Sequence, residues 1–349
     1  MSHTGNTEKI DLKNLTRDDL AEFVRQQGLS PYRARQIFSW LYRPGITDFS
    51  QMTDLGKKLR KSLAEQAFFS RFTPHVREQS TDGTVKYGFL LNDGNMIESV
   101  LIPDGERNTL CVSSQVGCAM GCLFCLTATM GFIRNLMPAE IVNQVCAVVD
   151  DLQQRQRGTV NNLVFMGMGE PLANFTNLLT ALEILMDQLG LNFSERRTTV
   201  STCGLVPGIK QLGASIKVNL AISLHAVNDE IRSKLMPVNK SWNIADLIEA
   251  CRQYPLPKRK RIMIEYILLK DINDSEKDAE KLAEILRSLR CKINLLPCNE
   301  TADLPYRQPT AEKVAAFQQI LLDRGYTVIV RSSRGSDISA ACGQLAVKN

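Results

Sequence analysis

No apolar run in this sequence approaches the roughly 18 residues needed to cross a bilayer, so a chain built of membrane-spanning helices is excluded. The first ten residues, MSHTGNTEKI, hold no apolar stretch that could serve as a leader, and a cytoplasmic location is expected. Internal repeats, low-complexity tracts and long linkers are also missing, which excludes a solenoid or a loosely tethered array. Neither charge sign dominates: a net +5 permits nucleic-acid binding without demanding it. What remains, 349 residues with 44% hydrophobic and 23% charged side chains, fits one large folded body with a small appendage.

The appendage is read at the start. Thr16 with Asp19 forms a capping-box pattern ahead of Leu20, Phe23 and Val24. Ser30 followed by Pro31 starts a second helix whose buried face is Ile37, Phe38, Trp40 and Leu41. Up to Ser70 there are eleven basic and eight acidic residues, equally compatible with a solvated helical surface and with an RNA face. A β-hairpin follows, Val85 to Leu91 and Met96 to Ile102, turning at Asn92-Asp93-Gly94-Asn95. Alternation alone puts Glu98 on the solvent side of its strand.

From Thr109 onward apolar β-branched runs alternate with helical patterns. The runs are Leu110–Val112, Leu163–Met166, Arg197–Thr202, Val218–Leu224, Ile262–Leu269 and Ile293–Leu296. Six such units predict a parallel sheet, either doubly wound or an incomplete barrel, with the active site at the carboxyl ends of its strands. The helical start is expected to pack on this body.

Ten cysteines need explaining in a reducing compartment, where thiols are core residues, metal ligands or catalysts. Cys118-Ala-Met-Gly-Cys122-Leu-Phe-Cys125 follows the first run, three thiols in a glycine-containing loop. Three thiolates can hold three irons of a 4Fe-4S cluster and leave the fourth iron open for a substrate. A structural zinc ion needs four ligands, and no second cysteine pair or paired histidine stands nearby; His225 is a lone, distant candidate. Further polar residues fall at strand ends: Gly169 and Glu170 in Gly167-Met168-Gly169-Glu170-Pro171, then Ser201, Ser223-Leu224-His225 and Asn299. Individually each is an ordinary turn or cap; their shared location is what counts.

The triplet, with Phe124 before its third cysteine and six βα units behind it, resembles the radical S-adenosylmethionine (SAM) superfamily. That resemblance implies a partial (β/α)6 TIM-like barrel, cluster ligation by Cys118, Cys122 and Cys125, and SAM held at the open iron and cleaved to a 5'-deoxyadenosyl radical. Gly169 and Glu170 would then receive SAM's ammonium, and Ser201, Ser223, Leu224, His225 and Asn299 its ribose and adenine.

A closer likeness lies in Asn108-Thr-Leu-Cys111-Val-Ser-Ser-Gln115, in Met96-Ile-Glu98-Ser99, in the helical Pro-Tyr-Arg-Ala-Arg-Gln segment and in Arg334-Gly-Ser-Asp-Ile before Cys342. These are similar to the RlmN family of dual-specificity RNA adenine carbon-2 methyltransferases. The resemblance implies a methyl group carried on Cys342 from one SAM, activated by a second, and added to an adenine carbon too electrophilic for direct attack. It further implies that Glu98 accepts a proton and that Cys111 forms a transient disulfide with Cys342 as product leaves. Implied substrates are an adenosine in 23S rRNA and the adenosine after the anticodon in tRNA; a flavodoxin-like reductant and a monomer are expected. Residues 1–70 would be an RNA-contacting helical domain, 71–108 a hairpin linker carrying Glu98, and 109–349 the barrel with its cysteine tail. Cys146, Cys203, Cys251, Cys291 and Cys298 are expected to be core or incidental residues. Two other readings stay open: a zinc-stabilised RNA-binding protein and a radical enzyme acting on a small molecule.

Overall fold

The computed structural model describes residues 9–346; residues 1–8, most of the segment behind the leader expectation, lie outside them. The helical start comprises β1 (Ile10–Asp11), α1 (Arg17–Gln26), α2 (Pro31–Leu41), α3 (Lys57–Gln66) and β2 (Ala67–Phe68), with β1 and β2 paired in parallel. Thr16 and Asp19 cap α1 reciprocally, and Ser30 caps α2 with Pro31 in its first turn. Leu20 and Val24 meet Ile37, Phe38 and Leu41 in a core without solvent exposure. Burying the ammonium of Lys13 requires partners. It finds Asn143 Oδ1 at 2.7 Å on the main body and the Tyr42 ring at 5.7 Å, so the helical start is fastened to the barrel from inside.

Strands β3 (Val76–Gln79), β4 (Val85–Leu90), β5 (Met96–Asp104) and β6 (Arg107–Cys111) form an antiparallel meander. A second small sheet pairs β7 (Gln115–Gly117) with β8 (Phe132–Asn135), enclosing α4 (Leu126–Thr129) and leading into α5 (Pro138–Gln154). Then β9 (Asn162–Phe165), α6 (Phe175–Met186), β10 (Thr198–Thr202), α7 (Val206–Ser215) and β11 (Asn219–Ser223) alternate. After α8 (Asp229–Leu235) and α9 (Ile244–Gln253) come β12 (Ile262–Leu268), α10 (Glu276–Leu286), β13 (Cys291–Pro297), α11 (Ala311–Asp323) and β14 (Val328–Val330). Ten strands make one sheet in the order β14-β13-β12-β11-β10-β9-β6-β5-β4-β3, parallel from β14 to β6 and antiparallel beyond.

Two features differ from the sequence expectation. The hairpin β4–β5 gains a third strand, β3, and joins the barrel sheet, because β6, the first of the expected runs, offers one edge to β9 and the other to β5. A seventh parallel strand, β14, closes the far edge; three residues are too short to register as a periodic run.

Register decides what faces inward. Val100, Cys111, Val164, Thr199 and Asn219 are successive cross-strand partners, as are Ser223, Glu265, Asn294 and Ile329. With a side-chain period of two, Glu98, Cys111, Ser201, Ser223 and Glu265 share the inner face. The opposite face carries Phe165, Val200, Leu220, Ile222, Ile264 and Leu295, all essentially without exposure and covered by helices; each contributes about 1.5–3 kcal/mol of burial. Glu98 is thus 7% exposed rather than solvent-facing. Alternation found its face correctly but not which face is covered.

Candidate active site

The triplet loop runs from β7 to α4. Gly117, at φ +70°, must be glycine, since a Cβ there would meet Gly131 O at 1.8 Å. Cys118 N donates to Gly131 O at 2.9 Å and Leu123 N to Leu235 O at 2.9 Å, fixing the loop over the strand ends. Its far end is clamped to the C-terminal segment: Leu126 N donates to Gly343 O at 2.7 Å, and the buried Thr127 hydroxyl to Leu345 O at 2.6 Å. Those bonds deliver Cys342 to the triplet across more than two hundred residues of chain.

A cleft of about 950 Å³ opens there, and Cys118, Cys122 and Cys125 form one wall. Burial pushes the Cys118 thiol up to about 11. Cys122 is raised further still, first by burial and then by Cys125 and Cys118. Arg232 offsets only part of the shift at Cys122, and an iron ion would supply further positive charge to these thiols. All three line the same cleft, each from a different position of one loop. A cluster, each of whose irons takes a different thiolate, fits that arrangement.

Opposite the thiols stand Gly169 and Glu170. A Cβ on Gly169, at φ +95°, would lie 2.5 Å from Gln115 Cβ, so only glycine lets the turn approach. Glu170 is buried, with Oε1 accepting from Leu172 N at 3.0 Å and Oε2 from Cys203 N at 2.7 Å. Burial nonetheless holds its pKa above the ordinary carboxylate value. An ammonium entering the cleft would supply the missing counter-charge, which fits SAM.

Ser201, Ser223 and His225 complete the lining. His225 adopts φ +60° and packs edge-on against Phe124 at 4.9 Å. Its Nδ1 accepts from Ile267 N at 3.0 Å, and burial with the nearby Arg232 lowers its pKa to about 3. The ring is therefore neutral, its proton on Nε2 as a hydrogen-bond donor. Cys342 lines the same cleft, and surrounding protein raises its thiol to about 11, with Glu265 adding to the shift.

Other expected residues stand outside this lining. The Leu224 side chain is fully buried; its backbone donates to Glu265 O at 3.0 Å. Asn299 Nδ2 donates to Cys342 O at 3.0 Å, and its Oδ1 accepts from Ser333, so it holds the cysteine segment. Cys111 is buried one strand away on the inner face, its pKa raised by burial and then by Cys342. Glu98 lies within reach of the tail backbone at Ala346; Lys86 Nζ is 3.5 Å from Oε1, and Oε2 has no side-chain partner.

Three residues escaped the sequence reading. Cys203, expected as core or incidental, lines the cleft beside Glu170. Glu265, inside an apolar strand run, lines it too; burial pushes its carboxyl up to about 7, and Asn294 Nδ2 donates to it at 2.9 Å. Arg232 is wholly buried, with Nε on Leu224 O at 3.0 Å, Nη2 on Cys203 O at 2.7 Å and on Ser223 O at 3.2 Å, and Nη1 on Asn239 Oδ1 at 2.8 Å. It ties two strand ends together beneath the cleft.

Comparison with known proteins agrees with this geometry. Residues 10–69 match the ribosomal RNA large subunit methyltransferase N-terminal domain, and residues 112–283 the radical SAM superfamily. The chain is 56% identical to the dual-specificity RNA methyltransferase RlmN of Desulfotalea psychrophila, covering 98% of this chain and 96% of that one. Against the RlmN of Geobacter sulfurreducens it is 54% identical, with 97% and 92% covered. A radical SAM methyltransferase from Sphaerobacter thermophilus superposes with a TM-score of 0.90 at 46% identity, covering 96% and 98%. With a radical SAM barrel, an RlmN-type helical start and relatives this similar along nearly their whole length, the chain belongs to the RlmN family of radical SAM enzymes.

Proposed function

We propose that this chain methylates carbon 2 of adenosine in 23S rRNA and tRNA, with Cys342 as methyl carrier, Cys111 as the thiol that releases product and Glu98 as proton acceptor. The name printed for its relatives, dual-specificity RNA methyltransferase, supports the reaction class. The observation that carries the residue roles is the clamp of Leu126 and Thr127 on Gly343 and Leu345, which sets Cys342 on the cleft beside the triplet and within electrostatic reach of Cys111.

When bound, the 4Fe-4S cluster and SAM, two molecules per turnover, supply the methyl group and the radical that activates it. Cys118, Cys122 and Cys125 would hold the cluster; Glu170, Ser201, Ser223 and His225 would hold SAM. Cys342 must lose its proton to take a methyl group, and at about 11 it stays a thiol until positive charge enters the cleft. Glu98 is suited to accept a proton, being buried with an oxygen that has no side-chain partner and a pKa raised by that burial. Attack by the Cys111 thiolate on the Cys342 sulfur would break that sulfur's bond to the carbon carried on the RNA, the carbon keeping the electron pair and taking a proton to become the methyl group, and would leave a disulfide that an external thiol reduces. Residues 1–70 serve as a helical RNA-contacting domain, 71–108 carry Glu98 and 109–349 form the catalytic body. A cytoplasmic monomer fed by a flavodoxin-like reductant completes the reading.

Anaerobically reconstituted protein, SAM, reductant and a 23S rRNA or tRNA fragment, followed by nucleoside mass spectrometry, tests the proposal. A 2-methyladenosine peak is expected. An 8-methyladenosine peak, or no methylated adenosine from protein with an intact cluster, overturns it.

A further inference from the structure

At the opposite end of the barrel a second cleft of about 1700 Å³ opens on the inner face. Nine Lys and Arg side chains line it against a single acid, Asp104. The loop before β10 supplies Arg196 and Arg197, the loop before β12 supplies Arg259, Lys260 and Arg261, and Lys292 projects from β13. None of the nine forms an ion pair among the described residues, where the salt bridges involve other cations. Lys260 and Arg261 instead donate to the neutral Asn219 and Thr327. Crowding like charges without acids opposes folding; the pKa of Lys292 is lowered by burial and by Arg331 beside it.

We propose that this cleft binds the phosphodiester backbone of the RNA that carries the target base. The inference rests on the RNA substrate proposed above and adds where that RNA lies. Phosphates would supply the absent negative charge and release counterions. The cleft also abuts the active site along the strands. Val164, Thr199 and Met263 line it, and the residues two positions on, Met166, Ser201 and Glu265, line the cysteine-bearing cleft. Two residues advance about 6.6 Å along a strand, so the floors are one side-chain layer apart. A nucleotide turned out of its stack could leave its phosphate on the cations and direct its base toward Cys111 and Cys342. An acidic electron-transfer protein fits less well: it must approach the triplet, about 20 Å away along the seven-residue β12.

The test is fluorescence anisotropy of a labelled ribosomal RNA stem-loop on the full chain as a function of salt. It compares wild type, Arg259→Gln/Lys260→Gln/Arg261→Gln, Arg196→Gln/Arg197→Gln, and the control Lys277→Gln/Lys281→Gln on α10. Circular dichroism verifies folding. Each phosphate-binding cation removed should lower the slope of log K against log salt by about 1, and the triple variant should bind at least roughly tenfold more weakly. The control should match wild type. Equal affinity and slope in the cleft variants overturns the cleft assignment while leaving the RNA substrate standing. Loss equal to that of the control, or cleft variants that lose only an acidic protein partner, overturns it as well. Wild type that binds no RNA at all overturns the substrate reading itself.

Discussion

The two ends of the barrel handle charge in opposite ways. At the carboxyl end, ionisable groups are individually placed: buried Glu170 held by two backbone N–H groups, buried His225 kept neutral, buried Arg232 bonded to three carbonyls and an amide, and thiols pushed above their ordinary values. At the amino end, cations stand mostly exposed and unpaired around an open cleft. Buried groups in low dielectric set geometry and reactivity; exposed groups in water set affinity and its salt dependence. One end is thus built for chemistry on an atom and the other for holding a polyanion.

That contrast predicts all-or-none effects at one end and graded ones at the other. The largest effect belongs to Cys342→Ala: methyl transfer should fall below detection in the nucleoside assay, while the anaerobic absorbance of the iron-sulfur cluster and RNA affinity stay within about twofold of wild type. A variant that still turns over would remove the methyl carrier from the mechanism. Cys111→Ala should instead trap a covalent protein–RNA adduct visible on a denaturing gel, and clean release of product would dismiss its resolving role.

Next in size is Arg232→Leu. It strips hydrogen bonds from Cys203, Ser223, Leu224 and Asn239 around a side chain that is itself wholly buried. Unsatisfied buried groups should cost about 3 kcal/mol in urea unfolding, with RNA affinity of the remaining folded protein unchanged. A variant as stable as wild type would mean that the strand ends hold themselves.

How these residues stood in the sequence explains what could be read there. Six parallel strands emerged within a few residues of their ends because each is an apolar run bounded by turns, and the triplet emerged because its cysteines are adjacent in the chain. The β7–β8 pair stayed hidden, since Gln115-Val-Gly117 and Phe132-Ile-Arg-Asn135 mix polar and apolar residues without a period. Arg232 sits in Asp229-Glu-Ile-Arg-Ser-Lys234, which reads as a solvated charged helix. Glu265 interrupts Ile262–Leu268, and a carboxylate alone inside an otherwise apolar parallel strand was the signal that could have found it. The amino-end cleft was invisible because its cations are scattered from Arg107 to Arg334 and only the sheet order gathers them. The helical start drew attention for its charge, yet Arg17 and Arg25 there are paired with acids.

The smallest predicted effect couples the two ends. Glu265 is pushed up to about 7 by burial, while Asn294, Arg331 and Lys292 draw it down. Its folded pKa therefore lies above the unfolded value near 4.5, so between those pH values the folded state binds more protons than the unfolded. Stability must then fall as pH rises through that window, by about 3 kcal/mol from this group, and level off above the folded pKa. Glu265→Gln removes the titration, so the variant should gain on wild type between pH 4.5 and 7 in urea unfolding and run parallel to it above. Lys292→Gln takes away a cation of the amino-end cleft that favours the carboxylate, so the midpoint of the wild-type profile should move to higher pH. An unmoved midpoint would mean that the single layer between the two clefts screens them completely, and that the cations act on bound RNA without touching the chemistry above them.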